Sequence, residues 1–206
     1  KWRFENEWPL ARTQYENYYL DSKGHANTLS GDGILDAKLS EETGFDRFVY
    51  DPADPVRTIG SMGPYDQQEV EKREDVLVYS TPPLKRDTEV TGPVKAVIYA
   101  SSSARNTDFT AKLVDVYPDG RAIRICEGII RASHRNPSLP PSNIEPGRIY
   151  KYNIDLWATS NVFKKEHSIR VEISSSNFPR FDRNLNTGNY FATDTAWIKA
   201  DQSIYH

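Results

Sequence analysis

The stretch Thr107-Asp-Phe-Thr-Ala-Lys-Leu-Val-Asp-Val-Tyr-Pro-Asp-Gly-Arg-Ala-Ile-Arg-Ile-Cys-Glu-Gly128 decides the fold. Apolar and β-branched runs flank Pro118-Asp119-Gly120. Proline presets φ and glycine tolerates positive φ, so the two runs fold back on each other as a β-hairpin. The same period of two recurs elsewhere. Tyr150, Tyr152, Ile154 and Leu156 alternate with Lys151, Asn153 and Asp155, and Ile169, Val171 and Ile173 alternate with Arg170 and Glu172. Such alternation marks half-buried strands. Further strand runs are Tyr15–Leu20, Arg47–Tyr50, Val76–Tyr79, Val90–Ser101, Phe109–Tyr117 and Arg121–Ile130. Val94–Ala100 is apolar on both faces, which places it centrally in a sheet.

Helix is scarce. Asp66–Arg73 has capping-box spacing, Asp66 followed three residues on by Glu69, and predicts two short turns. Prolines and glycines punctuate the remainder, with long loops at His25–Phe45, Asp51–Gln67 and Ser133–Arg148. About ten strands joined by such loops predict an all-β, two-sheet jelly-roll sandwich of galactose-binding-domain-like type. No repeat or linker-like break divides residues 1–206, so a single β-sandwich domain is expected.

The 206 residues carry a formal net charge of −3, which gives no electrostatic case for a nucleic-acid partner. No apolar run approaches the roughly 18 residues of a membrane span, and the expectation is a chain without membrane association. Cys126 is the lone cysteine. It reads as a small buried hydrophobe in a strand and fits a reducing, cytoplasmic compartment.

Signals for chemistry are thin. The Gly-x-Ser-x-Gly elbow of an α/β-hydrolase is missing, and Gly60-Ser61-Met62-Gly63 has the wrong spacing. His25, His134, His167 and His206 are scattered, and none sits in a motif with a nucleophile. No His-x-x-x-His or Cys-x-x-Cys pair suggests a metal, and turn chemistry accounts for Asp32-Gly33 and Asp36. Neither a metal nor a cofactor is expected. Trp2, Trp8, Trp157 and Trp197 offer an alternative, a carbohydrate-binding module stacking sugars on exposed indoles, against the plainer reading that they fill the core or a contact with another domain. Residue chemistry alone leads to a β-sandwich without a recognisable active site.

A set of ordered segments adds a resemblance. They are Phe48-Val-Tyr-Asp-Pro-Ala-Asp-Pro-Val56, Asp75-Val-Leu-Val-Tyr-Ser-Thr81, Glu89-Val-Thr-Gly-Pro-Val94 and Ser101-Ser-Ser-Ala104. The hairpin follows, then Thr159-Ser-Asn-Val-Phe163, Ser174-Ser-Ser-Asn-Phe-Pro-Arg180, Asp182-Arg-Asn184 and Asn186-Thr-Gly188. In number, order and spacing they resemble the C-terminal jelly-roll domain of CocE/NonD-type serine hydrolases. That group comprises cocaine esterases, α-amino-acid ester hydrolases and X-Pro dipeptidyl-peptidases. The resemblance implies that a catalytic α/β-hydrolase domain of the same polypeptide is the partner and carries the Ser-His-Asp triad. It implies a small ester or peptide substrate for the parent, and a chain that is catalytically silent alone. It leaves a homo-oligomer open. It also implies that the loop Thr58–Gln67 reaches toward the active site, with Ile59, Met62 and Tyr65 as pocket-rim residues, against the alternative of a surface loop without substrate contact.

Three departures from the family pattern stand out. Ser61 occupies the second position of a usual Gly-Gly pair, in a shortened loop. Glu166 replaces a usual glycine before His167. The chain also reaches His206 before the segment that normally supplies the last strand, which predicts an open sheet edge.

Overall fold

The computed structural model describes residues 3–61, 63–190 and 192–206. Ten strands form two sheets, and no α-helix occurs among the described residues. The strands are β1 (Tyr19–Asp21), β2 (Ile34–Asp36), β3 (Phe45–Tyr50), β4 (Leu77–Ser80) and β5 (Thr88–Ser102). They continue with β6 (Asp108–Val116), β7 (Ala122–Arg131), β8 (Tyr150–Phe163), β9 (Ser168–Ser174) and β10 (Ala200–Tyr205). One sheet runs β1-β2-β4-β9-β6-β7 and the other β3-β10-β5-β8. The expected two-sheet, all-β sandwich is the observed architecture.

Alternation does the sorting. Ile98 and Ala100 of β5 point into the sandwich and are buried, whereas Val97 and Tyr99 point out and stay half-exposed. Inward residues from both sheets meet in one core that includes Tyr79, Phe109, Tyr152, Ile154, Phe163, Ile173 and Ile204. Phe109 of β6 and Tyr152 of β8 cross from sheet to sheet with ring centroids 4.9 Å apart. Such a tilted aromatic pair contributes about 0.5–1.5 kcal/mol beyond its buried area.

The hairpin pairs β6 with β7 antiparallel around Tyr117–Arg121, where Tyr117 N–H donates to the Arg121 carbonyl at 2.8 Å. Gly120 takes φ +91°, as the turn reading requires. At the far end of the same stretch, Gly128 lets β7 approach β8. A Cβ there would collide with the backbone carbonyl of Asp155. The sandwich is therefore closed along this side by a residue with no side chain.

Several sequence expectations need correction. The run Tyr15–Leu20 contributes only Tyr19–Asp21 to a strand, and the loop expected over His25–Phe45 contains β2. The turns expected over Asp66–Arg73 shrink to one 3₁₀ turn, Val70–Lys72. Asp66 is held instead in a bridge opposite Ile123, and its Oδ1 accepts from the Ala122 N–H at 3.1 Å as well as from Gln68. A backbone drawn into that bridge cannot also begin a helix. At the other end of the chain, Ala200–Tyr205 forms β10 in the middle of its sheet, paired with both β3 and β5. The four-stranded sheet has no gap at that position.

Candidate functional site

The segment from Val56 to Arg73 crosses the outer face of the six-stranded sheet, and it covers charge. Side chains on that face include Lys112 of β6, Arg124 and Glu127 of β7, and Arg170 and Glu172 of β9, all buried. They occupy positions that alternation assigns to solvent. Val56, Val70, Val76 and Val78 build a small second core beside them, and Ile59 packs against it. β6 is consequently buried on both faces.

Loop 58–67 is stitched down at both ends. At its start, Thr58 N–H donates to the Phe178 carbonyl at 2.7 Å, and Thr58 Oγ1 donates to Asn177 Oδ1 at 2.8 Å. At its end, Gln67 N–H donates to the Ala122 carbonyl at 2.8 Å, and Arg124 N–H to the Tyr65 carbonyl at 3.1 Å. Between the anchors Gly60 takes φ +70°, and the Tyr65 ring lies so close over it that a Cβ would collide. The Tyr65 hydroxyl is 3.1 Å from Ser61 Oγ, and this hydrogen bond holds its pKa below the usual tyrosine value. Tyr65 is 38% exposed, whereas Ile59 is half-buried in the second core. Met62 lies outside the described residues. Of the two described residues expected at the rim, Tyr65 is thus presented outward and Ile59 anchors the loop.

Two charge clusters support the loop from below. In the first, Glu127 receives Arg124 at 3.1 Å, Arg180 at 2.8 Å and Asn177 Nδ2 at 2.8 Å. In the second, Lys112 Nζ donates to Glu172 Oε2 and to Gln67 Oε1, each at 3.0 Å, while Arg170 Nη1 donates to Glu71 Oε2 at 2.7 Å. Glu71 is pushed up to about 7, first by burial and next by the neighbouring Glu172 carboxylate. Sequence reasoning missed all of these residues. The available signal was Arg170 and Glu172 at alternate positions in β9, with Lys112 in β6 and Arg124 and Glu127 in β7, which reads as an ordinary wet face.

Nothing near the loop is a nucleophile paired with a base. His167 Nδ1 contacts buried Asp115 Oδ1 at 2.8 Å, stacked on Tyr117. Ser22 Oγ lies 3.0 Å from His206 Nε2, but Asp46 Oδ2 takes the Ser22 hydroxyl proton at 2.8 Å and also faces the same histidine nitrogen at 3.2 Å. A triad needs its carboxylate on the other ring nitrogen, and Asp21 Oδ1 stands 3.9 Å from it, too far for a hydrogen bond. Burial pushes the Cys126 thiol up to about 12. Asp32 accepts from the Lys23 and His25 N–H groups at 3.2 Å each, which is turn chemistry. Among the described residues no group of three His, Cys, Asp or Glu could hold a metal, and no helix is long and apolar enough to cross a membrane.

Trp2 lies outside the described residues, and the other three tryptophans do not assemble. Trp8 lies in the N-terminal segment, Trp157 on β8 and Trp197 ahead of β10, each more than half exposed, and no two tryptophan rings stack among the described residues. These three do not fill the core of this chain, their exposure is compatible with the contact to another domain, and no shared sugar platform forms among them.

Comparison with known proteins agrees with this geometry. Residues 1–205 match the X-Pro dipeptidyl-peptidase C-terminal non-catalytic domain. Cocaine esterase from Rhodococcus sp. (strain MB1 Bresler) is 50% identical over 202 residues, covering 94% of this chain and 35% of the relative. A crystal structure of an aminopeptidase from a marine sediment Thaumarchaeota archaeon superposes with TM-score 0.86 at 29% identity, over 100% of this chain and 36% of that one. An α-amino-acid ester hydrolase superposes with TM-score 0.80 at 26% identity, over 91% of this chain and 33% of that one. The chain spans about a third of the length of each of these relatives. On the two-sheet fold described above, the match over nearly the whole sequence places the chain in the family of X-Pro dipeptidyl-peptidase C-terminal non-catalytic domains of CocE/NonD-type hydrolases.

Proposed function

We propose that this chain is the accessory β-sandwich of a longer serine acyl hydrolase, packing on an α/β-hydrolase domain of the same polypeptide and lending loop 58–67 to the rim of its cleft. The observation that carries the reading is the loop itself. It is fixed at both ends and underpinned by buried charge, yet it presents Tyr65 outward. A loop with no task would not need that foundation. The similarity to a cocaine esterase favours an ester as the parent's substrate, with the serine, histidine and aspartate supplied by the rest of the polypeptide.

The surface supports docking. The outer face of the four-stranded sheet keeps Phe45, Val49, Val97 and Tyr99 each more than a third exposed. Arg47, Asp201 and Ser203 lie between them, and such a mixed apolar and polar face is the kind that contacts between domains use. The lone, inert thiol of Cys126 suits a cytoplasmic setting.

Assays with p-nitrophenyl esters test the reading. The chain by itself should give background turnover, and the full-length polypeptide should hydrolyse the esters with a KM that changes when Tyr65 is replaced by alanine. Turnover by the isolated chain, or a full-length enzyme indifferent to Tyr65→Ala, would refute it.

A further inference from the structure

We propose that Arg124 is the positioning residue of this rim: its buried guanidinium fixes the carbonyls of Ser61 and Gly63 and so sets the stance of Tyr65 toward the acyl group of the substrate. The inference rests on the reading that loop 58–67 lines the cleft, and it assigns the residue that governs the shape of that lining.

The argument begins with register. Residues three apart in a regular strand face opposite sides of the sheet. Arg124 and Glu127 nevertheless share the outer face, because β7 is bulged between them. Leu113 pairs with Cys126 while the next residue, Val114, pairs with Arg124, leaving Ile125 without an opposite partner. One inserted residue re-aims the strand, a recurring use of bulges. It brings a cation and an anion together in a place that is 3% and 6% exposed.

The guanidinium is fully committed. Nη1 donates to Glu127 Oε2 at 3.2 Å, Nη2 donates to the Ser61 carbonyl at 2.6 Å and the Gly63 carbonyl at 2.9 Å, and Nε reaches Gly63 at 3.3 Å. No other donor among the described residues reaches either carbonyl. Its carbon centre also stands 6.0 Å from the Tyr65 ring centroid. A planar fork holds two carbonyls and a carboxylate at fixed angles, whereas a lysine ammonium offers its donors from one point on a flexible stem and fixes none of those directions. The shortened loop thereby obtains from a side chain the definition that its own backbone lacks.

Glu127 makes the point testable. It keeps Arg180 and Asn177 when Arg124 is removed, so no buried carboxylate is stranded. The variant Arg124→Met should therefore fold, losing the loop's fixation and little else.

The experiment uses the full-length polypeptide and a series of p-nitrophenyl esters from acetate to benzoate, with hydrogen exchange read at the amides of Gly60, Ser61, Gly63, Tyr65 and Asp66. For Arg124→Met the KM for benzoate should change by about fivefold or more, while acetate KM and all kcat values stay within about twofold. Amides of the loop should exchange faster, and Arg124→Lys should behave like the methionine variant. Tyr65→Ala serves as the control. If Tyr65→Ala alters the benzoate KM but neither Arg124 variant does, the assignment of Arg124 is wrong. If neither replacement alters KM, the cleft reading fails first. A uniform fall in kcat for every ester would also overturn the proposal, because it would mark general loss of structure.

Discussion

Lys112 Nζ and Glu172 Oε2 stand 3.0 Å apart on neighbouring strands, with their side chains 3% and 2% exposed. The pair was built where a sheet normally meets water, and a loop then sealed it. Removing one partner leaves an uncompensated charge with no solvent to receive it. Lys112→Met should destabilise the fold by about 3–5 kcal/mol, and adding Glu172→Leu should recover most of that loss. Urea unfolding of the two variants checks it. A double variant no better than the single would show that the pair is more than mutually compensating.

Glu71 supplies a pH dependence. Its folded pKa lies at about 7, against 4.5 for the free side chain, because burial and Glu172 oppose its ionisation. The folded state thus binds the proton more tightly than the unfolded state, and ionisation costs more when folded. Stability from this group is fully present below pH about 4.5 and is lost as pH rises through about 7. Glu71→Gln removes the titration while keeping a side chain that can bond Arg170 and Glu172. The difference in urea midpoint between wild type and variant should shift in the variant's favour between pH 5 and pH 8. A difference that does not change with pH would contradict the assignment.

Cys126 should be silent. Its thiol is pushed up to about 12, so almost no thiolate exists near neutrality. A disulfide reagent at pH 8 should label the folded chain slowly and the urea-unfolded chain fast. Equal rates would mean that the strand opens readily.

Glu166 holds φ +72°, a conformation that costs an L-residue about 1–2 kcal/mol. The turn keeps its shape despite the glutamate: Glu166 N–H donates to the Leu84 carbonyl at 2.8 Å, and His167 N–H to the Lys164 carbonyl at 3.1 Å. Its side chain is exposed and meets only Lys165 at 3.7 Å. Glu166→Gly should therefore raise stability by about 0.5–1 kcal/mol, or a melting point some 1–4 °C higher in a chain of this size. Calorimetry decides it, and a lower midpoint would mean that the added freedom of the unfolded glycine outweighs the relieved strain.

How much of this could be read beforehand follows from what periodicity reports. Alternation in Phe109–Tyr117 and Arg121–Ile130, with Pro118-Asp119-Gly120 between, specifies a hairpin through local geometry alone, and β6 and β7 are where they were expected. β2 escaped notice because three residues cannot display a period. The charges of the candidate site escaped for another reason. A period of two tells which residues share a face, but not what lies over that face. Lys112, Glu172 and Glu127 therefore looked solvated until the crossing segment was placed. The bulge at Ile125 was equally hidden, since Ile125 continues the alternation of Ile123 and Arg124, and only the partner strand reveals the offset.

The two-ended fastening of loop 58–67 separates its footing from its span. Thr58 at one end and Tyr65 to Gln67 at the other are tied to backbone of the sandwich itself, whereas the carbonyls of Ser61 and Gly63 between them rest on a side chain. Natural variation can lengthen, shorten or recolour that span without disturbing either abutment. On the proposed reading, substrate preference becomes a trait that such hydrolases can revise outside the domain where the chemistry happens, with the nucleophile and its neighbours left untouched.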